Sequence, residues 1–402
     1  MLTNIKNKLL DILSNLGLFP LFYTNVPFKE YATNNAHTFF GYYDKTPFNQ
    51  DGSKLLAISV DCENGQLQTR IPADVGYFNT ENSEKFVKVS QTLTWCWQQG
   101  CRLMWLTDGS DDKIIHNCMI NGEYGSRIGD TMHNTIIEEL SFAVYDINAA
   151  GNRAATLNFS RLGRLRPGYG YINLEDTTKD HLAPSDDGIW LCEITSGRKE
   201  LIVSLHDLLN LESSSTMRDA EHYVNHLCFN PSGDRLLFFH IWFDGKKRHI
   251  RGLTCDIDGR NLFILNEGRK ISHYTWKNDY ELLLTGEGRK GFGYFLIDVR
   301  DPEPRRLAGK SLNQDGHPSF LKDGQMFVTD TYPSQFNNCQ SLKIVGLDGT
   351  AETIARVYSP SSYKGEYRCD LHPRLNNDSS MVCIDVPGIG GRRLAVFKLN
   401  DL

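Results

Sequence analysis

Four histidines in the second half of the chain lie in similar short contexts, each at or just before the start of an apolar run. The contexts are NHLCF, SHYTW, GHPSF and LHPRL, and the histidines are His226, His273, His317 and His372. Neutral imidazoles with an oxygen ligand or a water suit a divalent first-row metal such as Mn, Fe or Zn. Histidines of a repeat consensus can instead form hydrogen bonds between neighbouring units. The two interpretations differ in whether the fold brings these side chains to one point.

Two other histidines follow apolar runs, His240 in LLFFHIW and His116 in IIHNC. Histidine is the most frequent general acid or base in enzymes because its pKa lies near neutral pH. His240 has no counterpart in the three later contexts, and a residue outside the consensus is the better candidate for chemistry. We therefore expect His240 to be catalytic, with His116 as a second candidate.

The stretch SRLGRLRPGYGY, from Ser160 to Tyr171, is unusually rich in arginine and tyrosine. Guanidinium groups bind anions through paired hydrogen bonds, and tyrosine hydroxyls can transfer protons. We predict a loop here, whose arginines either bind an anionic ligand or pair with nearby acids. The catalytic candidates in it are Arg164, Arg166, Tyr169 and Tyr171, and the candidate for substrate binding is Arg161.

A fourth candidate stretch, HTFFGYYDKTPF, lies near the start of the chain and contains His37 and Tyr43. We weigh two roles for these residues, closure of the fold by packing and contact with a substrate.

The elements that must position these residues are repeated hairpins, each an apolar strand, a turn rich in Asp, Asn or Gly, and a second apolar strand. Seven copies occur, at residues 47–60, 103–117, 145–159, 228–240, 274–287, 318–330 and 373–385. Several are followed by another strand pair, as in GIWLCEITSGRKELIVSL, so each unit indicates four strands. Such repeats of about 40 to 50 residues are typical of a β-propeller. We predict an all-β, seven-bladed β-propeller with a short N-terminal helix.

This fold predicts the domain organisation and the place of the candidate residues. Residues 1–36 form the helix and a lead-in, and residues 37–402 form one propeller domain. In an antiparallel blade, the start of the first strand and the end of the second lie on the same face. The repeated histidines, the two single histidines and the arginine–tyrosine stretch should therefore surround one mouth of the channel. Whether His226 and His240 face each other depends on the hairpin register, which a slip of one residue reverses.

Composition limits the partners and the location. The net charge of -6 argues against sequence-independent binding to nucleic acid or anionic lipid, although a local basic patch could still attract an acidic ligand. Ten cysteines without a Cys-x-x-Cys pair indicate reduced core thiols. The N-terminal stretch lacks the pattern of a signal peptide and no run is long enough to span a bilayer, so we expect a cytoplasmic protein or one peripheral to the inner membrane. Apolar residues at helical spacing near the N-terminus predict an amphipathic helix that packs on the domain or docks on a membrane surface.

A mouth rich in His, Tyr and Arg suits the eliminative cleavage of a uronic-acid glycoside. The chain has no phosphate loop, nucleophile elbow or dinucleotide fingerprint that would indicate other chemistry. In this reaction a cation neutralises the C6 carboxylate, so the C5 proton becomes acidic. A His or Tyr removes that proton, and a Tyr or His protonates the departing O4. The expected partner is an acidic oligosaccharide or polysaccharide.

The hairpins and the strand-start histidines resemble the seven-bladed propellers of the oligogalacturonate lyases and, more distantly, the ulvan lyases. The resemblance implies that His240 is the catalytic base and that His273, His317 and His372 bind a divalent metal, manganese or zinc. Similarity to the ulvan lyases implies catalytic roles for the arginine–tyrosine stretch and His116. The sequence departs from the pattern at Ile241, where an acidic residue is expected, and it shows no confident match for the family's metal-binding glutamine.

Three functions remain open from the sequence. The first is a lyase acting on an acidic glycan. The second is a non-catalytic propeller that binds a glycan or a protein in surface-polysaccharide metabolism, because TolB-like propellers share part of the repeat pattern. The third is a glycosidase or transferase-like activity on the same scaffold.

Overall fold

Seven antiparallel sheets follow one another along the chain. The computed structural model describes residues 2–16, 20–62, 70–81, 83–107, 109, 112–265, 270–309, 312–388 and 390–399, and these contain 29 strands. First strands of neighbouring sheets contact each other around a central channel, so the sheets are the blades of a propeller. The predicted seven-bladed β-propeller is confirmed.

The strands of each blade are given from the channel outward, with blades numbered in chain order. The first two strands of the chain, β1 (Phe22–Tyr23) and β2 (Phe28–Tyr31), precede blade 1. Blade 1 consists of β3 (His37–Phe39), β4 (Lys54–Val60), β5 (Ala73–Asn79) and β6 (Ser83–Thr92), and blade 2 of β7 (Met104–Trp105), β8 (Lys113–Ile120), β9 (Glu123–Asp130) and β10 (Thr135–Leu140). Blade 3 consists of β11 (Asp146–Ile147), β12 (Arg153–Thr156), β13 (Gly188–Glu193) and β14 (Lys199–Ser204), and blade 4 of β15 (Glu221–Phe229), β16 (Arg235–Phe243), β17 (Arg248–Asp256) and β18 (Phe263–Ile264). Blade 5 consists of β19 (Ile271–Trp276), β20 (Glu281–Gly288), β21 (Gly291–Asp298) and β22 (Asp301–Arg306). Blade 6 consists of β23 (Ser319–Phe320), β24 (Met326–Asp330), β25 (Cys339–Gly346) and β26 (Ala351–Tyr358). Blade 7 consists of β27 (Arg374–Leu375), β28 (Met381–Gly388) and β29 (Gly391–Lys398).

The ring is closed by strands from both ends of the chain. Strand β2 pairs with β29 as the outermost strand of blade 7, with Phe28 opposite Phe397. The two rings stack at 5.1 Å between centroids, which adds a cross-strand aromatic contact to the backbone hydrogen bonds. Strand β1 adds a fifth strand to blade 6 through β26. The lead-in before residue 37 therefore contributes two strands to the propeller.

Blade strands are apolar on both faces because each sheet is covered by a neighbouring blade on either side. In β16, for example, every residue from Leu236 to Trp242 is buried. All ten cysteines are buried and free, in agreement with the expected reduced core thiols.

Residues 41–45 fill the channel after β3. The Tyr43 hydroxyl donates to the Tyr274 carbonyl at 2.7 Å and accepts from the Tyr274 N–H at 2.8 Å, which ties the segment to blade 5. Asp44 forms an ion pair with Arg102 at 2.9 Å, just before blade 2. The segment therefore links distant blades across the axis and forms the floor of the mouth described below.

Three α-helices accompany the sheets in the described part of the chain: α1 (Leu2–Asn15), α2 (Phe159–Leu165) and α3 (Leu205–Asn210); a 3-10 turn covers Gly365–Tyr367. The N-terminal helix was predicted. The arginine–tyrosine stretch was predicted as a loop, but its first part is α2, because the Asn158 side chain caps the helix by accepting from the Arg161 N–H at 2.9 Å. None of the described helices is long and apolar enough to cross a membrane.

Candidate active site

Imidazoles from blades 5, 6 and 7 converge at one mouth of the channel. The ring centroids of His273 and His317 are 4.0 Å apart, and those of His317 and His372 are 4.5 Å apart. Possible ligand atoms of His317, His372 and Asp370 all lie within 4.8 Å of one another. These side chains are buried, so the group forms a compact set of nitrogen and oxygen donors that could hold a metal ion. His273 is adjacent to this set but is not one of the three.

The three rings are oriented in the same way, with Nδ1 directed at a protein acceptor. Nδ1 of His273 donates to Asp315 at 2.9 Å, and Nδ1 of His317 donates to Asp330 at 2.8 Å. Nδ1 of His372 donates to a backbone carbonyl at 2.9 Å. The Nε2 atoms of His317 and His372 are buried and have no described hydrogen-bond partner. A histidine bound to a metal through one nitrogen usually donates the other to a carboxylate or carbonyl. This arrangement therefore matches ligands that present Nε2.

Asp330, at the end of β24, fixes the backbone of two of these histidines. One carboxylate oxygen accepts from the His317 N–H at 2.9 Å and the other from the His372 N–H at 3.0 Å. His372 has a φ of +48°, in the left-handed region that a residue with a Cβ adopts only at an energetic cost. The Asp330 carboxylate therefore stabilises a strained backbone that aims the His372 ring into the mouth.

The electrostatics of the mouth differ from one imidazole to the next, because burial lowers the pKa of His273 and His372 whereas that of His317 is raised. Burial lowers the pKa of His317, but the Asp330 carboxylate outweighs this effect and raises it. Burial likewise raises the pKa of Asp315, but His273 outweighs it and holds that pKa well below its usual range. Carboxylates held ionised beside imidazoles make a cation here electrostatically favourable.

Tyr169 lies on the other side of the mouth between two guanidinium groups. Arg368 donates to the Tyr169 hydroxyl at 2.6 Å and also to Asp370 at 2.8 Å. The guanidinium of Arg166 lies 4.7 Å from the centre of the Tyr169 ring. Burial raises the pKa of Tyr169, but Arg368 and then Arg166 outweigh it and hold the pKa below its ordinary value. The two guanidinium groups therefore favour the ionised form of Tyr169.

His226 was predicted at the start of the first strand of blade 4, but it lies within β15, at a bulge between Asn225 and Cys228, and joins the same mouth through Tyr42. The Tyr42 ring stacks on His226 at 5.1 Å and lies 5.0 Å from His372, and the Tyr169 ring is 6.0 Å from His226. His226 has a φ of +59°, which its N–H supports by donating to the Tyr145 hydroxyl at 3.0 Å. Its Nδ1 has no described partner, and burial keeps its pKa well below the usual value. His226 is therefore a neutral ring with a free nitrogen.

His240 lies on the opposite face of β16 from the mouth. Its neighbour Phe239 contacts the His226 ring at 5.0 Å, and adjacent strand residues point to opposite faces. Arg251 donates to Nδ1 of His240 at 3.1 Å, so Nε2 of His240 donates to His222 at 2.7 Å. Both ring nitrogens are hydrogen-bonded and the side chain is fully buried. His240 could accept a proton from a ligand only if one of these bonds broke.

Arg161, predicted to bind substrate, uses all its N–H groups within the protein. Its guanidinium donates to the His222 carbonyl at 2.7 Å, to both oxygens of Thr178, and to the carbonyls of His181 and Leu182. A guanidinium has five N–H donors, and these five acceptors occupy them. Arg161 therefore holds the chain after α2 in place.

Arg164 pairs with two acids, as the alternative interpretation of this stretch supposed. It lies 2.8 Å from a carboxylate oxygen of Asp176 and 2.8 Å from one of Glu221. Arg166 differs, because its side chain forms no ion pair or hydrogen bond with the described residues apart from its contact with the Tyr169 ring.

The remaining candidates lie apart from the imidazoles, except for the ring of Tyr43. The Tyr171 hydroxyl accepts from Asn117 at 2.9 Å in the core, and His116 is fully buried within β8. His37 donates to the Cys62 carbonyl at 2.9 Å and accepts from a backbone N–H of blade 7 at 3.1 Å, which is a closure contact. The Tyr43 ring lies 5.1 Å from His317 and 5.8 Å from His273 and forms the floor of the mouth.

Sequence reasoning missed several polar residues of the mouth, chiefly Asp330, Asp370 and Arg368. One signal was present, because the short motif Asp-x-His-Pro occurs before the inner strands of blades 6 and 7, in DGHPSF and DLHPRL. No comparable sequence pattern surrounds Asp330 or Arg368. Their roles become clear only from the side chains that they contact in the folded protein.

The fold and this site define a class of protein, a seven-bladed β-propeller with a mouth of imidazoles, carboxylates and guanidinium groups. No protein-family model matches the chain. No curated protein matches it in sequence either.

Solved structures nevertheless show the same fold. The chain is similar to the oligogalacturonate lyase of Vibrio parahaemolyticus, with a TM-score of 0.63 and 13% identity over 94% of this chain and 98% of that one. It is equally similar to an oligogalacturonate lyase in complex with manganese, with a TM-score of 0.63 and 14% identity over the same shares of the two chains. The Cps50 (Swd1) propeller domain of Myceliophteria thermophila matches with a TM-score of 0.53 and 12% identity over 92% of this chain and 99% of that one. The predicted likeness to the oligogalacturonate lyases is confirmed for the fold.

Proposed function

We propose that the protein is a metal-dependent lyase that cleaves a uronic-acid-containing oligosaccharide by β-elimination. The observation that carries this proposal is the composition of one mouth, where the His317–Asp370–His372 set lies next to Tyr169 and its two arginines. The fold similarity to an oligogalacturonate lyase in complex with manganese supports both the metal and the substrate class.

The residues present fit a divalent cation. Two buried imidazole nitrogens without a described partner and the Asp370 carboxylate, 4.0 Å from Nε2 of His372, offer nitrogen and oxygen ligands. Leaving such nitrogens desolvated and unbonded is costly, and coordination would offset that cost. Imidazole and carboxylate ligands suit manganese or zinc. We assign His317, His372 and Asp370 as the ligands, with His273 beside them.

When bound, a divalent cation would neutralise the uronate carboxylate and make the C5 proton more acidic. Arg166 adds positive charge on the opposite side of the mouth, and its guanidinium is free of ion pairs within the described residues. A sugar carboxylate would therefore meet cationic groups on both sides of the mouth, next to the Tyr169 hydroxyl.

Tyr169 is our candidate for proton transfer. Its ionised form is stabilised by Arg368 and Arg166, so it can take the C5 proton. As the C4–O4 bond breaks and the C4–C5 double bond forms, the same hydroxyl can return a proton to O4. His226, neutral and with a free Nδ1, is placed to bind a substrate hydroxyl.

The proposal is tested by incubating the protein with oligogalacturonate and with oligomers of other uronic acids. The ultraviolet absorbance of the unsaturated product is followed with added Mn²⁺ or Zn²⁺ and after EDTA treatment. We expect product with metal, none after chelation, and recovery when metal is returned. Failure on every uronate oligomer, together with purified protein free of metal, would contradict the proposal.

A pair of histidine variants gives a matched control. His317→Ala should lower metal affinity by about a hundredfold or more and abolish elimination, because it removes a ligand. His240→Gln should keep most of the activity per folded molecule, because His240 lies outside the mouth. The reverse pattern would favour the base role that the family resemblance implies for His240.

A further inference from the structure

The N-terminal helix α1 is attached to the propeller by its polar face. The Asp11 carboxylate accepts from the Tyr358 hydroxyl at 2.6 Å and from the Ser361 N–H at 3.1 Å and hydroxyl. Ser14, one helical turn further on, is 6% exposed. These contacts fix which side of the helix faces the protein.

Three apolar residues of α1 and its C-terminal end face solvent, whereas Leu10 and Leu13 are half-buried. Leu9 and Ile12 are each 54% exposed and Leu16, just beyond the last helical residue, is 67% exposed. Spacings of three and four residues place them in one stripe. A helix that packs on a protein normally buries this stripe, so the arrangement on α1 is inverted. Among the residues that the structure describes, none covers this stripe, so it is available to a partner.

Lysines flank the stripe. At 100° per residue, Lys8 lies on one side of the Leu9–Ile12 line and Lys6 on the other, and both are exposed. The chain as a whole carries a net charge of -6, so this is a local basic border on an acidic protein. Exposed aliphatic residues bordered by lysines are complementary to a membrane surface, where acyl chains lie beneath anionic headgroups.

The helix lies on the face of the propeller that carries the imidazoles. Of its anchor residues, Tyr358 ends β26 and Ser361 follows it, and the end of a fourth strand lies on the same face as the start of the first. Phe336, which is 82% exposed, lies on a loop of this face. That loop is bonded to the segment after β26 through the Asn338 carbonyl, which accepts from the Ser359 N–H at 2.8 Å. A second exposed apolar group therefore lies near the anchor.

We propose that α1 docks this protein on an anionic lipid surface, with its apolar stripe in the headgroup boundary and Lys6 and Lys8 on anionic headgroups. The proposal does not depend on the reaction proposed above. Docking in this way brings the imidazole-bearing face towards the bilayer.

The test is sedimentation of the full chain with vesicles of phosphatidylcholine and of phosphatidylcholine mixed equally with phosphatidylglycerol. We expect binding to the mixed vesicles only. Ile12→Glu should weaken it by about tenfold or more, since a charge would enter the boundary. Replacing Lys6 and Lys8 by Gln should weaken it by about fivefold for each lysine.

The matched control is Ile137→Glu, an equally exposed isoleucine at 50% on β10 of blade 2, which should bind like the wild type. All variants are checked for an unchanged thermal midpoint. Three outcomes would overturn the proposal: no sedimentation with either vesicle, equal binding of Ile12→Glu and wild type, or a dimer in solution that Ile12→Glu dissociates. The last would mean that a second copy of the chain covers the stripe.

Discussion

At the scale of single residues, hydrogen bonding distinguishes histidines that the sequence presents alike. His240 has both nitrogens bonded within the protein, whereas His317 has one nitrogen on a carboxylate and one without a described partner. The first pattern stabilises a buried ring, and the second leaves a ligand atom available. The same contrast separates Tyr169, bonded by the half-buried Arg368 at the mouth, from Tyr171, bonded by an amide in the core.

Tyr169→Phe should lower kcat for uronate elimination by about 10²- to 10⁴-fold, because it removes the hydroxyl that transfers the proton. Initial rates of unsaturated product formation with metal in excess measure this effect. Tyr171→Phe is the matched control, two residues further along the chain, and should stay within a few-fold of wild type. Equal losses in the two variants would show that the tyrosines act only through the fold.

At the scale of elements, two features position the side chains of the site. They are the end of strand β24 and the channel segment of residues 41–45. Asp330 terminates β24 and hydrogen-bonds the backbone N–H groups of His317 and His372, which belong to adjacent blades. The channel segment supplies the Gly41 carbonyl for His372 and the Tyr43 ring beneath His317. The directions of the His317 and His372 rings therefore depend on elements that are distant from one another in sequence.

Asp330→Asn should reduce metal affinity by about 10- to 100-fold, because the weaker acceptor no longer holds His317 and His372 in place. Titration calorimetry with Mn²⁺ measures the affinity directly. Excess Mn²⁺ should restore activity, which separates a positioning role from a catalytic one. Asp323→Asn, in the exposed turn of the same blade, should bind metal like wild type; an equal loss there would contradict the assignment.

At the scale of the whole molecule, the propeller buries many uncharged imidazoles between its blades. Burial lowers the pKa of His116 to about 4, and burial together with Arg392 lowers that of His37 to about 4. Unfolding exposes these rings to water, where the pKa of histidine is about 6.5. The unfolded chain therefore binds more protons than the folded one between these values.

Stability should consequently fall as the pH is lowered from about 6.5 towards 4, by about 1.4 kcal/mol per pH unit for each proton taken up on unfolding. Urea unfolding at several pH values from neutral to acidic measures the slope. His116→Gln should reduce the number of protons taken up on unfolding by about one. His206→Gln, on the exposed side of α3, should leave that number unchanged. A slope that is the same in all three proteins would rule out the contribution of His116.

The sequence by itself determined the architecture. Turn residues between apolar runs recur in every blade, and local turn chemistry with strand alternation is enough to specify a hairpin. Blade 1 is the partial exception, because its inner strand is β3 and the predicted first strand is reduced to a bridge between Phe48 and Leu55. The amphipathic N-terminal helix could also be predicted from the helical spacing of its apolar residues. That periodicity could not show which face of the helix packs on the propeller.

The tertiary structure alone decided which polar residues meet. A bulge in β15 between Asn225 and Cys228 and the left-handed backbone of His226 turn that ring into the mouth, while regular pairing leaves His240 on the other face. Asp330 and Arg368 become part of the site only because blades 3, 6 and 7 converge on the axis. Hairpins depend on contacts between neighbours in sequence. The site depends on residues far apart in sequence, such as Tyr169 and Arg368, 199 positions apart, and Gly41 and His372, 331 positions apart. Only closure of the ring brings these residues together.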